Sequence, residues 1–274
     1  MKHLPKIFLS IIITFLLITQ SVFAVPGDIA LVSVDSSGVQ GNRDSEYPSI
    51  SADGRYIAFE SEADNLVAGD TNGYSDIFVR DHNTGITTRV SVSSSGGQGS
   101  NASTSPSISG DGRYVAFVSR ASNLVAGDTN GNSDIFVHDR NTGITTRVNV
   151  NSSGGQAIGV SYSPSISADG RYVAFYSIAS NLVSGDTNGQ MDIFVHDRDT
   201  GITTCVSVDS GGVLGNGSSY DPFISADGRY VVFDSSASNL VSGDTNGVSD
   251  IFVHDRNSGI TTRASVDSRA CAAA

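Results

Sequence analysis

The chain has no tryptophan, two cysteines, two methionines and six prolines in 274 residues. Lysine is confined to Lys2 and Lys6, so everything downstream carries 14 Arg against 28 Asp and Glu. Binding to nucleic acid or to an anionic membrane draws on many cations facing phosphates, and this balance excludes both. Two cysteines, Cys205 and Cys271, allow at most one bridge. Cys205 stands where the other copies of a repeat carry Arg89, Arg147 and Arg263, so adventitious cysteines are the plainer account. Helical periodicity is missing after residue 24. So are a Gly-x-Ser-x-Gly elbow, a phosphate loop and paired metal-binding histidines. Those absences remove the common signatures of serine hydrolases, nucleotide enzymes and zinc proteases.

What is present begins with a leader. Met1–Lys6 is basic, Ile7–Ile18 is apolar apart from Ser10 and Thr14, and Val22 and Ala24 supply small residues before a cleavage after Ala24. This reads as a signal peptide over 1–24, too short in its apolar core to span a bilayer comfortably. The expected mature chain is exported, periplasmic or secreted, with a net charge of about −14.

Self-similarity dominates the rest. Pro48, Pro106, Pro164 and Pro222 open the same phrase at intervals of 58 residues. The repeats are expected at 48–105, 106–163, 164–221 and 222–267, after a spare strand and loop at 25–47 and before a tail at 268–274. Each unit offers four strand signals: 48–51, 55–59 after the Asp53-Gly54 turn, 76–80, and 87–92 after Asn83-Thr-Gly85. The middle strands are apolar on both faces, as a sheet packed between two sheets requires. The fold class is therefore all-β, a β-propeller of four blades with four antiparallel strands each. A four-bladed ring is the simplest closure. Residues 29–42 duplicate the end of a repeat, however, so closing with a partner chain and belonging to a larger propeller stay open as alternatives.

The phrase PSISADGRYVAF followed by SDIFVHDRNTG resembles the TolB-type, WD40-like propeller repeat, and the resemblance covers all four units. Ala52, Gly110, Ala168 and Ala226 stand where that family usually has proline. The α/β domain that precedes the propeller in TolB has no room here, so TolB's partners are not carried over.

Asp53, Asp70, Asp76 and Asp81 with their equivalents make 16 of the 28 acids, so most of the charge belongs to the scaffold. Arg55 and Asp81 should meet as a cross-strand ion pair in every blade. The 14-residue stretch 62–75 is long for a hairpin and ends in Asp70-Thr-Asn72-Gly. Asp70, Asn72 and Asp76 place oxygen donors at the spacing a calcium ion accepts. Their equivalents are Asp128, Asn130 and Asp134; Asp186, Asn188 and Asp192; and Asp244, Asn246 and Asp250. Turn chemistry, with Asn72-Gly73 bending the chain and Asp70 and Asp76 bonding backbone N–H groups, is the competing account. Asn65-Leu-Val67 should plug apolar side chains under the loop. His138, His196 and His254 are expected at the surface.

Variation among copies concentrates in the long loop and in the connection between repeats, which should emerge on one face. Tyr74, Tyr162 and Tyr220 are the residues expected to touch a ligand there. The leading functional reading is a non-catalytic scaffold for a protein or an extracellular polymer. The alternatives are a polysaccharide lyase or hydrolase, which needs an asymmetric acid or histidine cluster at the channel, and a structural module that self-associates through its blades.

Overall fold

The structure is a computed structural model and describes residues 29–266; the leader and Cys271 lie outside the described residues. Val32 onward forms one compact unit, and residues 29–31 fall outside it. That unit contains four sheets and, among the described residues, no helix. Blade 1 is β1 (Ser45–Ile50), β2 (Tyr56–Ser61), β3 (Asp76–Asp81) and β4 (Ile86–Arg89). Blade 2 is β5 (Ser103–Ile108), β6 (Tyr114–Ser119), β7 (Asp134–Asp139) and β8 (Ile144–Arg147). Blade 3 is β9 (Ser161–Ile166), β10 (Tyr172–Ser177), β11 (Asp192–Asp197) and β12 (Ile202–Cys205). Blade 4 is β13 (Ser219–Ile224), β14 (Tyr230–Ser235), β15 (Asp250–Asp255) and β16 (Ile260–Arg263). Within each sheet the strands pair antiparallel in chain order.

Turn chemistry fixes these hairpins. Ser51 Oγ donates to Asp53 Oδ1 at 2.6 Å, the same oxygen accepts the Arg55 N–H at 3.0 Å, and Gly54 supplies a φ of 73°. The Arg55–Asp81 pair forms as two parallel bonds at 3.1 and 2.8 Å and recurs in every blade. Its guanidinium holds the Asp81 carboxyl down at about 2.

The two apolar faces of each middle strand serve two different neighbours. Ala58, Ile77 and Val79 of blade 1 pack on Val115, Phe117 and Phe136 of blade 2. The same positions join blade 2 to blade 3 and blade 3 to blade 4. Inside each blade a stacked phenylalanine pair such as Phe117–Phe136 (6.0 Å between centroids) fills the sheet. Each fully buried phenylalanine contributes about 1.5–3 kcal/mol. β1, β5, β9 and β13 pack on one another in succession while the fourth strands do not. The first strands are therefore innermost, and the blades fan outward from them.

The ring expected from four blades does not form. Among the described residues no packing of the kind that joins blades 1 and 2 joins blade 4 to blade 1. Among the described residues no hydrogen bond links them either. The blades make an open array with two free ends. Residues 32–42 do not add a strand to blade 4, whose sheet is built wholly from its own repeat. They bridge Val34 to Gln40 and lie on the outer edge of blade 1, where Thr87 Oγ1 donates to Val34 O at 2.6 Å.

Candidate functional site

In all four blades the long loop is tied down by the connector that runs along its own blade. Asn65 Nδ2 donates to Gln40 O at 2.9 Å and its Oδ1 accepts the Asn42 N–H at 2.9 Å, while Leu66 is buried as the expected plug. The expected calcium ligands do come together, but around an arginine. Arg89 Nη1 lies 3.0 Å from Asp70 and 3.2 Å from Asp76. Arg147 bridges Asp128 and Asp134 at 3.2 and 3.6 Å, and Arg263 bridges Asp244 and Asp250 at 3.1 and 3.3 Å. Asn72 donates its amide to Asp76 at 2.8 Å and accepts the Tyr74 N–H at 2.9 Å, so both ends of its side chain are engaged. Among the described residues, no group of three or more His, Cys, Asp or Glu side chains is placed to hold a metal ion.

Blade 3 departs from this pattern. Cys205 replaces the arginine, and Asp186 and Asp192 stay buried with no salt-bridge partner among the described residues. Asp192 accepts from Ser207 Oγ at 2.7 Å and from Asn188 Nδ2 at 2.8 Å. Burial nevertheless pushes its carboxyl up to about 6, and raises Asp186 as well. The thiol of Cys205, half-buried beside these carboxyls, is pushed up to about 12, which makes it a poor nucleophile.

The histidines are not surface residues. His138, His196 and His254 are buried, and each Nδ1 sits 2.9 Å from a threonine hydroxyl on the adjacent outer strand. Burial lowers all three, His196 to about 4, so they are neutral bonding groups of the outer edge. In blade 1 Arg80 fills that position and reaches Asp35 O and Thr87 Oγ1.

The variable positions share one face, as the loop and connector placement implies. It is the face where the first strands begin, the second strands end and the third strands start. On blade 1, Asp44, Glu46, Glu60 and Glu62 surround a small cavity together with Ser61 and Ser75. Glu46 and Glu60 stand directly opposite on β1 and β2, a like-charge pairing that destabilises a sheet. Burial raises the Glu60 carboxyl above its ordinary value, with Glu46 and Glu62 adding repulsion, while its Oε2 accepts the Ser105 N–H at 2.8 Å.

Tyr162 and Tyr220 lie in β9 and β13, the inner strands, and Tyr176 on β10 joins them. The Tyr162 and Tyr176 rings are 5.8 Å apart, and Tyr176 meets Tyr220 edge-on at 5.3 Å. Beside them Ser163 Oγ donates to Asp221 at 3.1 Å across the joint between blades 3 and 4. Tyr74 stands apart on its loop, exposed. Tyr176 was the member that the sequence reading missed; its equivalents Glu60, Val118 and Asp234 vary as widely as any position in the repeat. At the same face each inner strand carries a bulge whose central residue is left-handed: Tyr47, Ser105, Ser163 and Asp221, with φ between 45° and 53°. Non-glycine residues held there store strain of about 1–2 kcal/mol each.

No family model matches the chain, and no curated protein does. Solved structures do. A puromycin-hydrolysing peptidase from Mycobacterium tuberculosis matches 82% of this chain and 29% of its own length, at 14% identity and a TM-score of 0.50. TolB from Acinetobacter baumannii matches 81% of this chain at 20% identity and a TM-score of 0.47, and the chain spans only 43% of its length. The propeller domain of the Trilobed protease from Pyrococcus furiosus, described as having an open velcro topology, matches 83% of this chain and 58% of its own at 12% identity, with a TM-score of 0.47. Likeness at these identities is likeness of fold, and the propeller-blade reading of the repeat stands in the structure.

Proposed function

We propose that this chain is an exported, periplasmic or secreted, non-catalytic scaffold that binds a positively charged segment of a protein on its variable face. The observation that carries the reading is the distribution of differences among four near-identical blades. Asp53-Gly54, Arg55, Asp81 and the buried phenylalanines recur in every copy, whereas positions 46, 60, 62 and 74 and their equivalents change. On that face four acids crowd blade 1, Asp221 and Asp234 sit on blade 4, and three tyrosines cluster at the joint of blades 3 and 4. Opposed carboxylates gain from a cation what their mutual repulsion took from the sheet, and tyrosine faces accept guanidinium or ammonium groups.

The test is calorimetric titration of residues 25–274 with a Lys- and Arg-rich peptide at low and at physiological salt. Binding should weaken with salt. It should fall about tenfold in Glu46→Gln/Glu60→Gln, the loss of roughly one charge-assisted contact. Tyr176→Ala should weaken it independently of salt. Binding that ignores both changes would sink the proposal. Salt-insensitive binding of a neutral polysaccharide that depends on Tyr176 alone would point to the polymer instead.

A further inference from the structure

We infer that the two free ends of the blade array bind each other in a second copy of the chain, head to tail, so that two chains close one eight-bladed ring. This goes beyond the binding face above and rests on none of it.

The joint between blades is built three times with the same parts. Ala52 N–H donates to Gly110 O, Gly110 N–H to Ala168 O and Ala168 N–H to Ala226 O, at 2.9, 2.9 and 3.0 Å. The ring of Tyr56 lies on Gly112, where a Cβ would come within 2.1 Å of it, and Arg140 covers that ring at 4.3 Å. Tyr114 with Gly170 and Arg198, and Tyr172 with Gly228 and Arg256, repeat the arrangement. Each joint thus has a leading half (an Ala or Gly N–H, a tyrosine, an isoleucine of the third strand) and a following half (a carbonyl, a bare glycine, an isoleucine of the first strand).

The array ends on one unmatched half of each kind. On blade 4 the Ala226 N–H donates to nothing among the described residues. Tyr230 is 40% exposed there and Ile251 41%, whereas Ile77, Ile135 and Ile193 at its position are fully buried. On blade 1 the Ala52 carbonyl accepts nothing among the described residues, and Gly54, with a φ of 73°, has no tyrosine ring on it, only Ile50 Cδ1 at 4.0 Å from where a Cβ would stand. Ile50 is 62% exposed where Ile108 and Ile166 are 6% and 7%. Both halves are apolar, complementary by construction, and on opposite ends, which makes the contact heterologous.

Two positions differ at the outer joint. Phe223, 68% exposed, stands where the hydroxyls of Ser49, Ser107 and Ser165 accept the isoleucine N–H of the next blade, so the outer joint exchanges that bond for apolar area, and His82 replaces the arginine that covers the tyrosine ring. One stretch is duplicated. Val32-Ser33-Val34 and Ala264-Ser265-Val266 are both equivalents of Val90-Ser91-Val92, so the joint holds one of them. The first is anchored on blade 1, with the neighbouring Asp35 carbonyl accepting from Arg80 at 2.9 Å. The second is exposed but bonded to β15, with Ala264 N–H donating to Ile251 O at 2.7 Å and Ser265 Oγ to Asp250 at 2.6 Å; in the two-chain ring the Ser33 segment of the second copy takes over that place and those bonds. A heterologous contact makes either a ring or a filament. Propellers run from about four to eight blades; one chain does not close, two chains make eight, and three exceed the range.

Sedimentation equilibrium of residues 25–274 should give twice the chain mass. Ile50→Glu and Ile251→Glu change side chains that are exposed in the single chain, so each variant should fold and sediment as a monomer, with unaltered circular dichroism. Mixing the two should restore a species of two chains, because one intact joint forms between the unmodified faces. A shortened chain ending at Arg263 should associate at least as tightly as the full one. A monomeric parent at tens of micromolar, a dimer that survives either substitution, variants that fail to complement, or an open filament would each overturn the two-chain ring.

Discussion

Cys205→Arg should stabilise the protein, and more at neutral than at acid pH. In blades 1, 2 and 4 a guanidinium lies between the two loop aspartates, and in blade 3 the same two carboxyls have none. Asp192 is raised from 3.8 to about 6, so the folded state holds its proton more tightly than the unfolded state does. The sign follows: this group favours folding fully below pH 4, and that stability is lost as pH rises from about 4 through 6. At 1.36 kcal/mol per unit, the loss is about 3 kcal/mol at pH 7.5. An arginine at 205 supplies the missing cation. Tm at pH 7.5 should rise by up to roughly 6–12 °C on the scaling of about 2–4 °C per kcal/mol, and by little at pH 4.5. Tyrosine fluorescence or circular dichroism reports the melt, since the chain has no tryptophan. An equal shift at both pH values, or a lower Tm at pH 7.5, would refute the reasoning.

Three further outcomes are expected. Gly112→Ala should destabilise far more than Gly127→Ala: both have φ above 70°, which adds about 1 kcal/mol of strain for alanine, but only the first drives a methyl into the Tyr56 ring. Equal melting temperatures would remove the tyrosine–glycine contact from the joint. With arginine in three of the four loops, any calcium response is confined to blade 3. Such a response is limited to about 2.7 kcal/mol at a hundredfold excess over Kd and is abolished in Cys205→Arg; a response that persists there contradicts the assignment. Asp139 is held well below its ordinary value by Arg113, so its contribution is present above pH 4 and lost below it, and Asp139→Asn should flatten the acid limb of the Tm–pH curve.

The repeat made most of this architecture readable, because strand, turn and ion-pair signals were each written four times. Asp53-Gly54, the Arg55–Asp81 pair and the Leu66 plug all stand where local chemistry placed them. The arginine in the loop was equally readable and went unread. Arg55 was already engaged by Asp81, so the constant Asp70 and Asp76 needed another cation; two further arginine positions recur in three copies, those of Arg89 and Arg140, and Arg89 is the one that lies between the aspartates. The histidines were misplaced for a different reason. A side chain at the end of a strand looks exposed in sequence, whereas the connector that precedes its blade folds over it, a contact made across about 50 residues: the Thr145 hydroxyl that bonds His138 also donates to Val92 O.

Closure was hidden because it is a property of joints and not of blades, and one departure from the TolB-type repeat pattern that the sequence resembles bears on it directly. Proline usually stands at positions 52, 110, 168 and 226, and proline has no N–H. Here Ala52, Gly110 and Ala168 use that N–H to reach the next blade, so the absence of proline leaves room for one more backbone bond per joint. The positions are equivalent, which isolates the bond from the local effects of proline. Ala168→Pro should lower Tm, a bond of this kind being worth about 0.5–1.5 kcal/mol. Ala226→Pro, placed in the monomeric Ile251→Glu chain, should not, since its N–H is already free of partners among the described residues. In the parent chain Ala226→Pro should weaken association instead. Equal losses of Tm at 168 and 226 in the monomer would show that the turn, and not the blade-to-blade bond, is what proline disturbs.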